Sequence, residues 1–393
     1  MIELGSGSGD MTDVADACVK CRCGCCKDGC PMYVELLEES ISPKGRNMLI
    51  RAIVDGVVEP DERTVRIAYS CLLCRRDEFS CGAKLKNADA TEAFREYLVS
   101  RGAPLLPEHQ ALVKSIGNYG NPWQEPRSSR KRWAKDLKDK KVVRGKTDTL
   151  LFVGCTFSLD RTLRDAPRAL AHLMECAGER FGLLLEDETC CGSTVKRLGH
   201  AALFEELRKN TEDRFVSTGV KRIVTGCAGC YKTLKQDYPG LKDAIEVVHS
   251  TEYLERVVES GRLSFSRTDT KVAYHDPCHL GRHSGVYDSP RRLLRAIPGV
   301  KLVEMENSRE LARCCGGGAG VKTAYPELSR KAALRRIREA EATGADTVVT
   351  ACPFCVQTLR AAAESAGSGL EVADLSVFLD KHVKCREEGR HDG

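Results

Sequence analysis

Short apolar runs alternate with longer amphipathic stretches through the C-terminal part of this 393-residue chain. Thr149–Val153, Arg222–Thr225, Lys271–Tyr274 and Thr347–Thr350 are brief and largely apolar, which predicts buried strands. Ala201–Thr218 and Ala324–Thr343 have the charged, one-faced spacing of amphipathic helices, and Lys232–Tyr238 and Gln357–Ser365 carry shorter helical patterns. Strands alternating with helices predict α/β units with parallel pairing. The chain before residue 102 differs, with helical patterns at Tyr33–Leu37, Gly45–Asp55 and Thr91–Arg101 and no strand signal. Pro104, Pro107, Pro122 and Pro126 mark the stretch from residue 102 as a linker region with some helix.

The α/β pattern occurs twice. Gly154-Cys155-Thr156 pairs with Pro277-Cys278-His279, and Cys190-Cys191-Gly192 with Cys314-Cys315-Gly316. Thr225-Gly226-Cys227-Ala228-Gly229-Cys230 likewise pairs with Thr350-Ala351-Cys352-Pro353-Phe354-Cys355. The matching cysteines are offset by 123, 124 and 125 residues, so the region is a tandem duplication. The expected organisation is a leader (1–11), a mainly helical domain (12–101) and a basic linker (102–146). Two tandem α/β domains (147–268 and 269–385) and a tail (386–393) complete it.

Composition changes this picture through cysteine. Twenty-one cysteines stand in a chain too long to need disulfides in place of a core. The Gly/Ser-rich start has no apolar signal segment, with Met11 a natural alternative start, and no run of ~18 apolar residues occurs. A cytoplasmic protein whose cysteines hold metal is the expectation. Charge is uneven: Arg127 to Lys146 contains ten Lys/Arg against Asp136 and Asp139, a balance of +8, leaving −3 elsewhere in a chain of net +5. That run is expected to be a solvated linker or a surface for docking to a partner or membrane, and no nucleic-acid binding is expected.

The first cysteine group runs Cys18, Cys21, Cys23, Cys25, Cys26, Cys30-Pro31 and the second Cys71, Cys74, Cys81. A two-cluster ferredoxin repeats C-x2-C-x2-C-x3-C-P, the fourth cysteine of each run ligating the other cluster. Cys23, Cys26 and Cys30 fit the last three positions, but Lys20 stands where the first belongs. Alternatively Cys18 and Cys21 open the run and two residues are inserted. In the second run Asp77 replaces the third cysteine. Two [4Fe-4S] clusters are expected here, one either ligated by Asp77, reduced to a [3Fe-4S] form, or degenerate. The duplicated motif reads C-x34-CC-x35-CxxC and C-x35-CC-x36-CxxC. Five thiolates exceed the one ligand per iron of a cubane, and structural zinc gains nothing from a vicinal pair and a fifth cysteine. An unusual iron–sulfur cluster in each copy is therefore expected.

These motifs resemble the catalytic iron–sulfur subunit of membrane-associated heterodisulfide reductase from methanogenic archaea, a family of cysteine-rich CCG domains. The likeness rests on Asp187-Glu188-x-Cys190-Cys191-Gly192-Ser193, Cys227-Ala228-Gly229-Cys230, His275-Asp276-Pro277-Cys278-His279-Leu280-Gly281-Arg282-His283, Arg313-Cys314-Cys315-Gly316 and Cys352-Pro353-Phe354-Cys355. It is weakest in the ferredoxin-like part. The resemblance implies that each motif holds a noncubane four-iron cluster through all five of its cysteines. It also implies reduction of the coenzyme M–coenzyme B disulfide between the two clusters, with a membrane cytochrome b-like or other redox subunit as partner. The chain would then be part of a hetero-oligomer, peripheral on the cytoplasmic membrane face. A disulfide takes two electrons while clusters deliver one at a time, so duplication suits such a reaction. Duplication equally suits a non-catalytic relay. The same motif pair resembles iron–sulfur subunits of glycolate, lactate and glycerol-3-phosphate oxidation, where a flavoprotein does the chemistry. A reductase of another disulfide or persulfide is a third reading.

His275, His279 and His283 flank Cys278. Among them His279 is the favoured proton donor to a departing thiolate, beside the plainer reading that all three only hold the loop. Lys196, Arg282 and Lys322 are candidates for anionic groups of a disulfide substrate, against the ordinary alternative of solvated surface. Gly316-Gly317-Gly318-Ala319-Gly320 lacks the Gly-Lys-Ser/Thr ending of a phosphate loop and is read as close backbone approach to a cluster. Cys176 and Cys385 fall outside every motif and are expected to be a buried residue and a free thiol.

Overall fold

The computed structural model describes residues 8–135, 137 and 147–385, with side chains from residue 11. The start of the leader, most of the basic run beyond residue 135 and the tail lie outside the described residues.

Each copy of the repeat folds into a four-stranded parallel sheet with the order 2-1-3-4 of its own strands. In the first, β1 (Thr149–Leu151) pairs with β2 (Phe181–Gly182) and β3 (Arg222–Thr225), which pairs with β4 (Glu246–His249). A short β5 (Ser264–Phe265) comes next along the chain. In the second, β6 (Lys271–His275) lies between β7 (Lys301–Val303) and β8 (Thr347–Thr350), with β9 (Glu371–Asp374) beyond β8. β10 (Val383–Lys384) pairs antiparallel with β5, joining the end of the second copy to the end of the first. The central strands β3 and β8 are Ile/Val-rich and buried along nearly their whole length, as parallel strands covered on both faces must be. Registers Leu151↔Val224↔Val248 and Tyr274↔Val349↔Ala373 align the apolar residues of each sheet. The four predicted strands are present; β2, β4, β7 and β9 add to them.

The N-terminal part is helical among the described residues. Ser8–Lys20, Pro43–Val54 and Asn87–Ser100 enclose Met11, Ala15, Ile50, Ile53, Phe94 and Leu98, each almost fully buried and contributing about 1.5–3 kcal/mol for the larger side chains. Leu198 of the first α/β copy completes this core, so the helical domain is docked rather than tethered. The docking is polar as well. Arg95, fully buried, donates to the carbonyls of Ala68, Cys71, Arg197 and Ala319, touching all three parts of the molecule. Tyr69 Oη donates to Leu198 O at 2.7 Å and Tyr325 Oη to Arg66 O at 2.8 Å.

The basic linker departs from a solvated strap. Pro107–Tyr119 is a regular helix, and Arg127–Ala134 a 3-10 helix whose Arg130 and Trp133 are each 1% exposed. Cys176 and Cys385 also depart from expectation. Cys176 is only half-buried and is joined to the exposed Cys385, the residue just after β10, by a disulfide at the end of helix Asp165–Cys176.

Candidate iron–sulfur site

The cysteines of the repeat gather at one edge of each sheet for a local reason. Parallel strands place their carboxyl ends together, and the loops leaving that edge are where open α/β sheets bind ligands. Cys155 opens the helix after β1, Cys227 caps the helix after β3, and Cys352 caps the helix after β8. Cys278 lies in the turn leaving β6. Helix N-termini present N–H groups and positive dipole ends to an anionic cluster. All ten cysteines are buried.

The CCG turns need glycine. Gly192 and Gly316 have φ of +79° and +85°, in the left-handed region. A Cβ at Gly316 would lie 2.4 Å from the Ser329 carbonyl oxygen, and one at Gly192 would lie 2.6 Å from the Phe204 ring. Each turn thus brings a vicinal cysteine pair against its CxxC. Cys191 Sγ is 3.4 Å from Cys230 Sγ, and Cys315 Sγ is 3.4 Å from Cys355 Sγ.

Buried cations and a histidine balance the sulfurs. Arg130 Nη2 donates to Cys155 Sγ at 3.0 Å while Nη1 pairs with buried Glu188, whose carboxylate accepts the Val153 and Gly154 N–H groups. In the second copy His275 Nδ1 accepts from Arg336 Nε at 3.0 Å, and a His275 ring nitrogen lies within 4.8 Å of the Cys315 and Cys355 sulfurs. Cys314 sits against the sulfurs of Cys278, Cys315 and Cys74, which together hold its thiol well above the usual range, while the contact with Cys314 drives Cys278 well below it. So many buried sulfurs cannot all ionise against one another; a polynuclear cation resolves this by deprotonating its ligands outright. The donor set fits iron–sulfur clusters.

The ferredoxin-like cysteines sort into two groups. Cys18 has Cys21, Cys26 and Cys81 as electrostatic neighbours, and Cys30 and Cys71 share Asp77 and Arg46. Cys18, Cys26, Cys30, Cys71, Cys74 and Cys81 are buried, whereas Cys23 and Cys25 are exposed. Cys23 stays beside the first group through a 3.3 Å contact with Cys21. Asp77 is buried at the third position of the second run and accepts from Asn87 Nδ2 at 2.9 Å. The Cys71–Cys74 loop carries Leu73 at φ 49°, which turns it toward the second α/β copy. There Arg282 Nε donates to Cys74 O and His283 Nε2 meets Leu73 O at 2.8 Å. Cys74 itself hydrogen-bonds Cys314.

The two α/β copies meet as well, with Cys227 hydrogen-bonded to Cys352. Beside that contact lies a cavity of about 550 Å³, lined by Gly229 from the first copy and by Cys278, His279, Cys315 and Cys352 from the second. Phe354 borders both this cavity and a smaller one of about 50 Å³ against the first cysteine set. Leu112, Pro122 and Trp123 of the linker region form part of its wall, a contribution with no signal in the sequence beyond scattered apolar residues. His279 Nδ1 lies 3.6 Å from Cys278 Sγ, and its ring stacks on His283 at 4.5 Å. Lys322 lines the cavity, donates to the Gln357 amide oxygen and is pushed down by burial. The other two cationic candidates stand apart from it. Lys196 is held by Asp237 at 2.6 Å, and buried Arg282 is occupied by the carbonyls of Cys74, Glu310 and Ala312.

Sequence comparison agrees with this donor set. The cysteine-rich domain (CCG) profile matches residues 149–235 and 272–360. The D subunit of dihydromethanophenazine:CoB–CoM heterodisulfide reductase from Methanosarcina mazei is 32% identical over 383 residues, covering 92% of each chain. Its Methanosarcina barkeri counterpart is 31% identical, again covering 92% of each. The chain belongs to this family of heterodisulfide reductase D subunits. A probable iron–sulfur-binding oxidoreductase, FadF, of Bacillus subtilis is 33% identical over 80% of this chain and 46% of its own length. Among the described residues no helix is long and apolar enough to cross a membrane.

Proposed function

We propose that this subunit reduces a disulfide of the coenzyme M–coenzyme B type to two thiols in the cavity between its two five-cysteine sets. The observation that supports this reading is the position of that cavity: Cys278, Cys315, Cys352 and Cys355 of the second set line it, Ala228 and Gly229 beside Cys227 close it from the first copy, and it is wide enough for a small-molecule ligand. Cys155, Cys190, Cys191, Cys227 and Cys230, and Cys278, Cys314, Cys315, Cys352 and Cys355, would hold two noncubane iron–sulfur clusters, which would supply electrons one at a time. The cysteines of the helical domain would hold two [4Fe-4S] clusters, and the contact of Cys74 with Cys314 would link them to the second set.

The protein's own groups do the rest. His279, on the cavity wall beside Cys278, carries a proton to a departing thiolate, and His283 fixes its ring from behind. Lys322, with a neutral amide as its hydrogen-bond partner, attracts an anionic group of the substrate. Largely apolar walls, including Trp123 and Phe354, exclude water. A membrane cytochrome b-like subunit or another redox subunit delivers the electrons.

The test is anaerobic oxidation of reduced viologen by the cluster-loaded protein on adding the coenzyme M–coenzyme B disulfide. Turnover with that disulfide and little with cystine supports the assignment. Full iron content with no turnover on any disulfide favours a relay to a partner enzyme. Relatives such as FadF and the EtfAB:quinone oxidoreductase of Syntrophomonas wolfei, 28% identical over 95% of this chain, give that second reading its support.

A further inference from the structure

His172 and Cys176 lie four residues apart on helix Asp165–Cys176, one turn and one face. Cys385 arrives from the far end of the chain, just after β10, which is clamped to β5. His172 Nε2 faces both sulfurs, at 3.4 Å from Cys176 Sγ and 3.7 Å from Cys385 Sγ. Its other nitrogen, Nδ1, is held by Asp380 Oδ1 at 2.6 Å. The three ligand atoms lie within 4.8 Å of one another, outside the sheet edges that carry the iron–sulfur cysteines.

We propose that His172, Cys176 and Cys385 form a Cys2His zinc site whenever their disulfide is reduced. Two thiolates and one imidazole are the donor chemistry that zinc favours over the hard cations. Zinc–sulfur bonds of about 2.3 Å and zinc–nitrogen bonds of about 2.1 Å put the nitrogen–sulfur edges of a tetrahedron at about 3.5 Å. The observed nitrogen–sulfur separations bracket that value. Asp380 completes a carboxylate–histidine–zinc arrangement, fixing the imidazole tautomer so that Nε2 presents its lone pair. Because His172 and Cys385 are exposed, the fourth position is open to water. Reduction by a dithiol adds two electrons and two protons to the S–S bond and gives two thiols. Zinc then displaces both protons, and reoxidation by a disulfide oxidant re-forms the bond and expels the ion. Either state closes the same 209-residue loop between the first α/β copy and the chain's end, so the exchange is a redox-gated metal site on a preserved scaffold.

The experiment uses the cluster-loaded full chain, reduced anaerobically with dithiothreitol, incubated with zinc chloride and desalted. Zinc and iron are counted by mass spectrometry, and zinc X-ray absorption identifies the ligands. The expected result is about one zinc per chain after reduction and none before, at unchanged iron, with two sulfurs and one histidine nitrogen in the zinc shell. Cys385→Ser and His172→Ala abolish the uptake, and Asp380→Asn weakens it 10–100-fold. Zinc uptake unaltered in Cys385→Ser and His172→Ala, or no uptake although intact mass shows the disulfide opened, overturns the proposal.

Discussion

Arg130 comes from the most basic run of the chain, yet it is buried between Glu188 and Cys155. Burial pushes the Glu188 carboxyl up, and Arg130 opposes that push. Replacing Arg130 with Met strands the carboxylate, and removing one partner of a buried pair costs about 3–5 kcal/mol. The folded protein holds the Glu188 proton more tightly than the unfolded chain does. The R130M defect should therefore grow as pH rises above the ordinary carboxylate value of 4.5 and shrink below it. Urea unfolding of R130M and of R130M/E188Q at several pH values checks this, the double variant recovering part of the loss. His109 has the opposite sign. Burial lowers it to about 4, and its Nε2 lies 3.0 Å from Gly320 O. The unfolded chain takes up a proton near 6.5 and the folded one does not, so stability falls as pH drops from 6.5 toward 4, by roughly 3 kcal/mol for this group. His109→Gln should flatten that limb of the melting temperature against pH, leaving the similar contribution of His249. Neither residue announced its role in the sequence, because partners such as Cys155, 25 positions on, and Gly320, 211 positions on, leave no local pattern.

Turns and strands behave differently. Gly192 and Gly316 both occupy the left-handed region, where a side chain costs about 1–2 kcal/mol. The neighbours they would meet differ in kind. Phe204 can rotate away from a new methyl group, but the Ser329 carbonyl belongs to helix Pro326–Glu341 and can yield only if that helix moves. G192A should therefore cost about 1–2 kcal/mol, and G316A distinctly more, with iron lost preferentially from the second set. Denaturation midpoints and iron content of the two variants measure the difference. These turns were legible because cysteine spacing repeats with offsets of 123 to 125 residues, and so were the strands leading into them. Strands such as Phe181–Gly182 and Lys301–Val303 were not, being two or three residues long at a sheet edge with no room for periodicity. Lys196 and Arg282 looked like substrate contacts because a sequence shows charge but not its partner; Asp237 and three carbonyls decide where they point.

At the scale of the molecule, the helical domain docks chiefly on the second α/β copy, and that asymmetry sets a direction. Cys74 touches Cys314, and Cys227 touches Cys352, so contact runs from the helical domain to the second set and then to the first. The sets also differ in surroundings: His275 of β6 faces the second, while Phe152, its counterpart in the duplication, follows β1 in the first. Arg95 holds this geometry through carbonyls of the helical domain, Arg197 of the first copy and Ala319 of the second. Arg95→Met leaves these buried acceptors without a donor, at about 1–3 kcal/mol each. The penalty falls at the docking surface and spares the two sheets. R95M should consequently unfold in two steps where the parent unfolds in one, the helical domain first, while the ten cysteines of the repeat keep their iron. Arg95→Lys should rescue little, since a single ammonium cannot reproduce the guanidinium fork across carbonyls in three parts of the chain. Calorimetry with iron analysis after the first transition tests this. A single transition shifted as a whole would place the docking energy in the apolar contacts around Leu198 instead.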